Sequence, residues 1–396
     1  MIQPADRLKG TQEYYFSKKL EQIRQMNAAG GTPVINLGIG SPDLSPASEV
    51  LDATANALHQ KNAHGYAPYR SSPELRRAMA EWYQKGYGVS VDANQEVLPL
   101  LGSKEGILYI SLAYLNPGDE ALVPNPGYPA YSSVTSMIGA KARLYDLNEK
   151  DGWEPDWEQL EKEDLSRCKI MWVNYPHMPT GAPANRALFD RLIDFGRRKN
   201  ILICHDNPYG WILNQEKPLS ILEADLTKEW SLELNSMSKA FNMAGWRVGM
   251  LLANSQVIDA VLQVKSNVDS GMFSAVQAGA EKALHLPDSW HEERNEIYKE
   301  RRDVVWKIFD RLGFQYDRKA VGLFVWAKAP ATIPDVPAFL DTILENARVF
   351  LTPGMIFGSN GNRYARSSLC GSVDTLKEAL RRIDAIQSPA QAKERK

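Results

Sequence analysis

From about residue 95 to residue 290, short apolar runs alternate with amphipathic stretches, and this restricts the chain to few architectures. The candidate strands are EVLPLL (96–101), EALVP (120–124), ARLYDL (142–147), KIMWVNY (169–175), ILICHD (201–206), SLELNS (231–236) and VGMLLA (248–253). Several are apolar without strict alternation, as strands covered on both faces are. Between them, SKEGILYISLAYL (103–115), ANRALFDRLIDFGRRKN (184–200) and NSQVIDAVLQVKSN (254–267) carry apolar residues at helical spacing. Strands joined by helical crossovers make an α/β protein with a mostly parallel, seven-stranded sheet flanked by helices. A long charged helix is expected from residue 287, with its charges on a solvated face. Beyond it, VGLFVWAKA (321–329) and ARVFLTPG (347–354) read as strands of a smaller α+β domain. The expected division is a large domain at 46–286 and a small one formed by 1–45 and 287–396.

Composition removes several function classes. A formal charge of −2 gives no electrostatic footprint for nucleic acid or an anionic membrane. No apolar run approaches a membrane span, and the N-terminus lacks the apolar centre of a signal peptide, so a cytoplasmic protein acting on small molecules is expected. Three cysteines suit a reducing compartment and read as small core residues. The histidines are scattered and HEERN lacks a second metal-binding histidine, so no metal is expected.

In open α/β sheets ligands bind beyond the carboxyl ends of the strands. After EVLPLL, Gly102-Ser103-Lys104 opens a helix, whose first amides attract phosphate. After KIMWVNY comes Asn174-Tyr175-Pro176-His177-Met178-Pro179-Thr180-Gly181. After ILICHD, Asp206 precedes Tyr209 by three residues, so a carboxylate and a phenol could bind a cationic ring nitrogen and an adjacent oxygen. After SLELNS, Ser238-Lys239 leads into AFNMAGWRVG; a strand-end lysine flanked by serines, with Arg247 eight residues on, is what a Schiff-base amine and its phosphate anchor require.

Together these stretches resemble the pyridoxal-phosphate-dependent aminotransferases of fold type I, class I/II. The resemblance runs from NLGIGSPDL through YAPYRSSPELRRAMAEWY, GSKEGI, PNPGYPAY, NYPHMPTG, HDNPYG and SMSKAFNMAGWRVG to FLTPGMIFGSNGNRYARSSL. It implies that Lys239 bonds to pyridoxal 5'-phosphate and later shuttles a proton, that Asp206 pairs with the pyridine nitrogen, that Tyr209 donates to the ring's O3′ oxygen, and that Tyr128 stacks on the ring. It assigns the phosphate to Ser103, Lys104, Ser236, Arg247 and, from a second subunit of a homodimer, Tyr66. Arg366 would grip the substrate α-carboxylate, with Gly40 giving backbone room beside it. The implied reaction moves an amino group from an L-amino acid to a 2-oxo acid.

One position departs from the family. The loop is usually Asn-Pro-Thr-Gly, its Asn donating to O3′, but here Met178 stands there and has no donor. A working enzyme whose O3′ depends on Tyr209, alone or helped by a water or His177, an enzyme of altered substrate or reaction, and a non-catalytic relative remain open. A C–S or β-lyase is the alternative reaction. SNVDSGMFSAVQ (266–277) and SKAFNMAGWR resemble the branch holding LL-diaminopimelate and alanine-type aminotransferases, without identifying a side-chain-binding residue. Tyr14, Tyr15 and Phe16 read as the aromatic face of a packed helix, with an entry lid as the alternative.

Overall fold

The computed structural model describes residues 2, 3, 5–8 and 15–391. Its strands are β1 (Ile35–Asn36), β2 (Val97–Leu100), β3 (Glu120–Asn125), β4 (Lys141–Asp146), β5 (Cys168–Val173), β6 (Leu202–Asp206), β7 (Ser231–Ser236), β8 (Gly249–Leu252), β9 (Gln315–Tyr316), β10 (Phe324–Lys328), β11 (Val349–Phe350), β12 (Thr352–Pro353) and β13 (Tyr364–Ser368). Seven of them form one sheet in the order β2-β8-β7-β6-β5-β3-β4. Only β8 runs against its neighbours; the other contacts within the sheet are parallel. Each strand falls within a residue or so of its apolar run in the sequence. The mostly parallel α/β sheet expected from the sequence is present.

Both faces of the sheet are covered. Met171, Val173 and Ile203 face one apolar cluster with helix residues Leu188, Phe189, Leu192 and Phe195. Ile170, Trp172, Cys204 and Leu234 face another with Ile107, Ile110 and Tyr131. All three cysteines are buried and unbridged. Among the described residues no helix is long and apolar enough to cross a membrane.

The chain ends build a separate apolar cluster over β10, β13 and the helices Asp288–Leu312, Val336–Ala347 and Val373–Gln391. A second sheet has the order β12-β13-β10-β9 and is antiparallel. β1 pairs in parallel with β11, Ile35 opposite Val349, so the N-terminal segment closes on the C-terminal third. The helix Asp288–Leu312 corrects one expectation: its charges do not all face solvent. His291, Arg294 and Arg301 are buried; Arg294 donates to the Ala240 and Trp211 carbonyls, and Arg301 forms a two-point ion pair with Asp43, at 2.7 and 2.9 Å, and donates to the Leu369 carbonyl. Burying an arginine is tolerable when its fork is filled in this way. That pair ties the loop after β1 to the chain just beyond Arg366.

Candidate active site

A cavity of about 610 Å³ lies where the strand ends of the large sheet meet the β1 loop, β10 and β13. Its lining includes Gly40, Ser103, Lys104, Tyr128, Met178, Asp206, Tyr209, Ser236, Lys239, Arg247 and Arg366. Gly40 and Arg366, 326 positions apart in the chain, therefore share one space. Tyr66 is 92% exposed and does not line the cavity of its own chain.

β6 ends at Asp206, which is buried. Tyr131 donates to its Oδ2 at 2.9 Å, and Asn174 donates to its backbone carbonyl at 2.6 Å. Burial pushes the Asp206 carboxyl up to about 6; the Tyr131 donor and the charge on His205 pull the other way, and Glu233 reinforces the rise. Among the described residues, Oδ1 is buried with no hydrogen-bond partner. An unmatched carboxylate oxygen in such a place is costly, and a cationic N–H directed at it would restore the charged form. Tyr131 escapes a reading of the motif alone, although it stands three residues after Tyr128, in the first turn of the helix Pro129–Met137. The Tyr131 ring stacks flat on Trp172 at 5.1 Å, which fixes the direction of its hydroxyl.

β7 ends at Ser236, whose side chain caps the short helix Met237–Ala240 by accepting from the Ser238 N–H. That turn delivers Lys239, whose Nζ donates to the Gly40 carbonyl at 2.5 Å. Burial holds the Lys239 amine below its ordinary range, and the charges of Arg366 and Arg247 act in the same sense. A lowered amine pKa favours the neutral, nucleophilic form. Gly40 has no room for a side chain, since a Cβ there would run into the Phe324 ring.

Ser103 and Lys104 begin the helix Ser103–Tyr114, preceded by Gly102 at φ 104°, a conformation that favours glycine. A Cβ on Gly102 would also collide with the Arg247 guanidinium. Arg247 donates to Glu105 at 3.0 Å and lies 3.4 Å from the Ser238 hydroxyl. First-turn amides, serine hydroxyls and an arginine gathered at one end of the cavity suit a phosphate.

At the opposite end, Arg366 leaves β13 with its guanidinium carbon 3.9 Å from the centre of the Phe324 ring and 4.5 Å from that of Phe357. Nη2 donates to the Gly38 carbonyl at 2.7 Å. Nη1 lies 3.1 Å from the Met178 sulfur. Met178 is itself placed by Asn174, whose Oδ1 accepts from the Met178 N–H at 2.7 Å. Asn174, which does not align with the family's asparagine position, thus holds both the Met178 loop and the Asp206 carbonyl. His177 turns away to Thr180 at 2.8 Å and is kept neutral by burial, its pKa pushed down to about 3.

Tyr15 opens the helix Tyr15–Ala28 and packs against the chain-end cluster, while Ser17 and Leu20 of the same helix line the cavity. Tyr14 lies outside the described residues. No cluster of metal-binding side chains is found among the described residues.

A lysine at a strand-end turn, set between an arginine fork and a buried carboxylate on an α/β sheet, is the arrangement of enzymes that carry pyridoxal phosphate on that lysine. Residues 32–383 match the family model described as aminotransferase class I and II, and the chain belongs to that family of pyridoxal-phosphate-dependent aminotransferases. It is 39% identical over 381 residues to the LL-diaminopimelate aminotransferase of Nitratidesulfovibrio vulgaris, covering 96% of this chain and 98% of the relative. It is 38% identical over 391 residues to transaminase BacF of Bacillus subtilis, covering 98% and 97%. The substrate-bound BacF structure superposes with a TM-score of 0.91 over 98% of both chains.

Proposed function

We propose that the protein transfers the amino group of an L-amino acid to a 2-oxo acid, 2-oxoglutarate and glutamate forming one pair, by a ping-pong route through Lys239. The observation that carries this reading is the convergence of Lys239, the unmatched Asp206 Oδ1 and Arg366 on one cavity. Bound pyridoxal phosphate supplies an electron sink for the pair left behind when the amino acid's Cα–H bond breaks. Asp206 Oδ1 would accept a hydrogen bond from the protonated pyridine nitrogen, while Tyr131 holds Oδ2. Tyr209 would donate to O3′, and Tyr128 would cover the ring face. Ser103, Lys104, Ser236 and Arg247 hold the phosphate, joined by Tyr66 of a second subunit in a homodimer; the 92% exposure of Tyr66 leaves it available for that role. Arg366 fixes the substrate carboxylate through its two-pronged fork, and the Lys239 amine then takes and returns the Cα proton. The domain division at residues 46–286 against 1–45 and 287–396 places this cavity between the two units, and the β1–β11 pairing supports it.

The test is spectroscopic. The purified protein should be yellow and bleached by borohydride, with the response lost in Lys239→Ala; colourless protein that cannot be reconstituted with pyridoxal phosphate would overturn the reading. Release of pyruvate and ammonia from cysteine or cystathionine without an oxo-acid acceptor would instead identify a lyase. For the amino donor, the relatives' names point to LL-diaminopimelate, whereas the apolar side chains of Leu20, Ile39, Phe324 and Phe357 in the cavity lining favour a neutral side chain. Conversion of bound aldehyde to the amine form, compared across LL-diaminopimelate, alanine and larger neutral amino acids, decides between them.

A further inference from the structure

On the far side of the sheet from the cavity, Glu233 of β7 is wholly buried, and its carboxylate accepts five hydrogen bonds from separate parts of the fold. Oε1 takes the Tyr83 hydroxyl at 2.7 Å and the Asn207 amide at 3.2 Å. Oε2 takes His205 Nδ1 at 2.9 Å, the Ser220 hydroxyl at 2.8 Å and the Ile221 N–H at 3.0 Å. Burial pushes this carboxyl up, but the donors from His205, Tyr83 and Ser220 outweigh it and hold the group below the ordinary carboxylate range. A buried anion matched by this many donors is rigid, since moving any of them uncovers charge.

What the donors carry matters more than their number. Asn207 directly follows Asp206 and precedes Pro208-Tyr209, and its N–H is also fixed, to the Leu234 carbonyl at 2.8 Å. His205 directly precedes Asp206, and its Nε2 lies 2.8 Å from the Tyr175 carbonyl oxygen, in the loop that leads to Met178. Tyr83, besides donating to Glu233, accepts from the Asn235 amide at 3.0 Å, and Asn235 Oδ1 accepts the Ser236 N–H at 2.8 Å. One carboxylate is therefore joined directly to the turn of Asp206 and Tyr209, through His205 to the Met178 loop, and through Tyr83 and Asn235 to the turn of Ser236 and Lys239.

We propose that Glu233 is the positioning residue of the cofactor site: its five-donor carboxylate locks the 206–209 and 236–239 turns into a single rigid floor and so sets the affinity for pyridoxal phosphate without touching it. The inference rests on the cofactor reading above. Glu233→Gln keeps the shape but turns an amide toward donors, at least one of which, the Ile221 N–H, cannot reverse its role.

Equilibrium dialysis of the holoprotein, read by the visible absorption it retains, tests the inference with four variants. Glu233→Gln and Asn207→Ala should each weaken cofactor retention about tenfold, and the double variant should be no weaker than the poorer single one, because both break the same link. Ser220→Ala also removes a donor from Glu233, but it leaves in place the bonds that the Asn207 amide makes to Glu233 Oε1 and to the Leu219 carbonyl at 3.1 Å. It should lower the unfolding temperature while changing retention less than twofold. Retention within twofold of wild type in Asn207→Ala, losses that multiply in the double variant, or an equal loss in Ser220→Ala would each overturn the inference. If Glu233→Gln fails to fold, the contrast between Asn207→Ala and Ser220→Ala decides alone. A wild-type protein that retains no cofactor overturns instead the reading on which the inference stands.

Discussion

The two ends of the cavity are built differently. The floor, made by the turns after β5, β6 and β7, comes from 66 consecutive residues (174–239) of one sheet and is held by buried hydrogen bonds that converge on Asn174, Asp206 and Glu233. The wall around Arg366 is assembled from β10 and β13 together with β1, which lies hundreds of residues away from both. It is held by two aromatic rings, a carbonyl, a thioether and the Arg301–Asp43 pair. A floor built this way suits a cofactor that stays, and a wall of aromatic and thioether contacts suits a substrate that comes and goes. On this reading, floor substitutions change cofactor chemistry and wall substitutions change substrate binding.

The largest expected effect tests the floor. Lys239→Ala should lower transamination by at least about 10⁴-fold, the upper range for losing a positioned acid–base group, while the variant remains folded; a smaller loss in a steady-state assay would move the proton transfer to another residue. Arg366→Lys tests the wall. Losing the two-pronged grip should reduce kcat/KM about 100-fold, equivalent to about 2.7 kcal/mol, with most of the change in KM and the visible spectrum unaltered. An altered spectrum with unchanged KM would break the contrast between the two ends.

A smaller effect concerns acid–base balance in the floor. In cofactor-free protein the Asp206 carboxyl sits at about 6, above its ordinary 3.8, so the fold binds that proton more tightly than the unfolded chain does. Its stabilising contribution is complete below about pH 4 and is lost as pH rises through about 6, by about 3 kcal/mol. Asp206→Asn should remove this dependence, seen as a flatter urea midpoint between pH 4 and 6 relative to wild type. Pyridoxal phosphate should also remove it, by placing a cation against Oδ1.

The smallest change lies where floor and wall meet. With the cofactor placed as proposed, Met178→Asn introduces a donor beside O3′, which should lower the pH at which the visible absorption of the holoprotein titrates, by less than about one pH unit. An unchanged or raised value would mean that Met178 acts only through its 3.1 Å contact with Arg366. In that case the substitution should change KM instead.

The floor was largely legible in the sequence, because each of its residues follows a strand that its own apolar run announces. Asp206 ends ILICHD, Lys239 follows SLELNS, and the Gly102-Ser103-Lys104 turn follows EVLPLL; strand ends in a parallel sheet face one edge, so proximity followed from local pattern. Met178 was visible as a departure from its motif, yet its contact was not, since nothing local directs a thioether toward an arginine 188 residues away. Tyr131 was hidden for a similar reason: a tyrosine in a helical turn looks like core packing until the Asp206 oxygen is seen beside it.

The buried charges on helix Asp288–Leu312 mark the limit most clearly. In sequence, Arg294 and Arg301 belong to a run of charges that ordinarily faces water, and Glu233 is one acidic residue in an apolar strand. The sequence by itself determined the seven-strand sheet, its order of chemistry-bearing turns and the aminotransferase reading, because hydrophobic periodicity and strand-end motifs act over short spans. Only the tertiary structure decided which charges are buried, since a carboxylate or guanidinium enters the interior only where distant segments supply its partners. Asp43 does so for Arg301, and Tyr83, His205, Asn207 and Ser220 do so for Glu233.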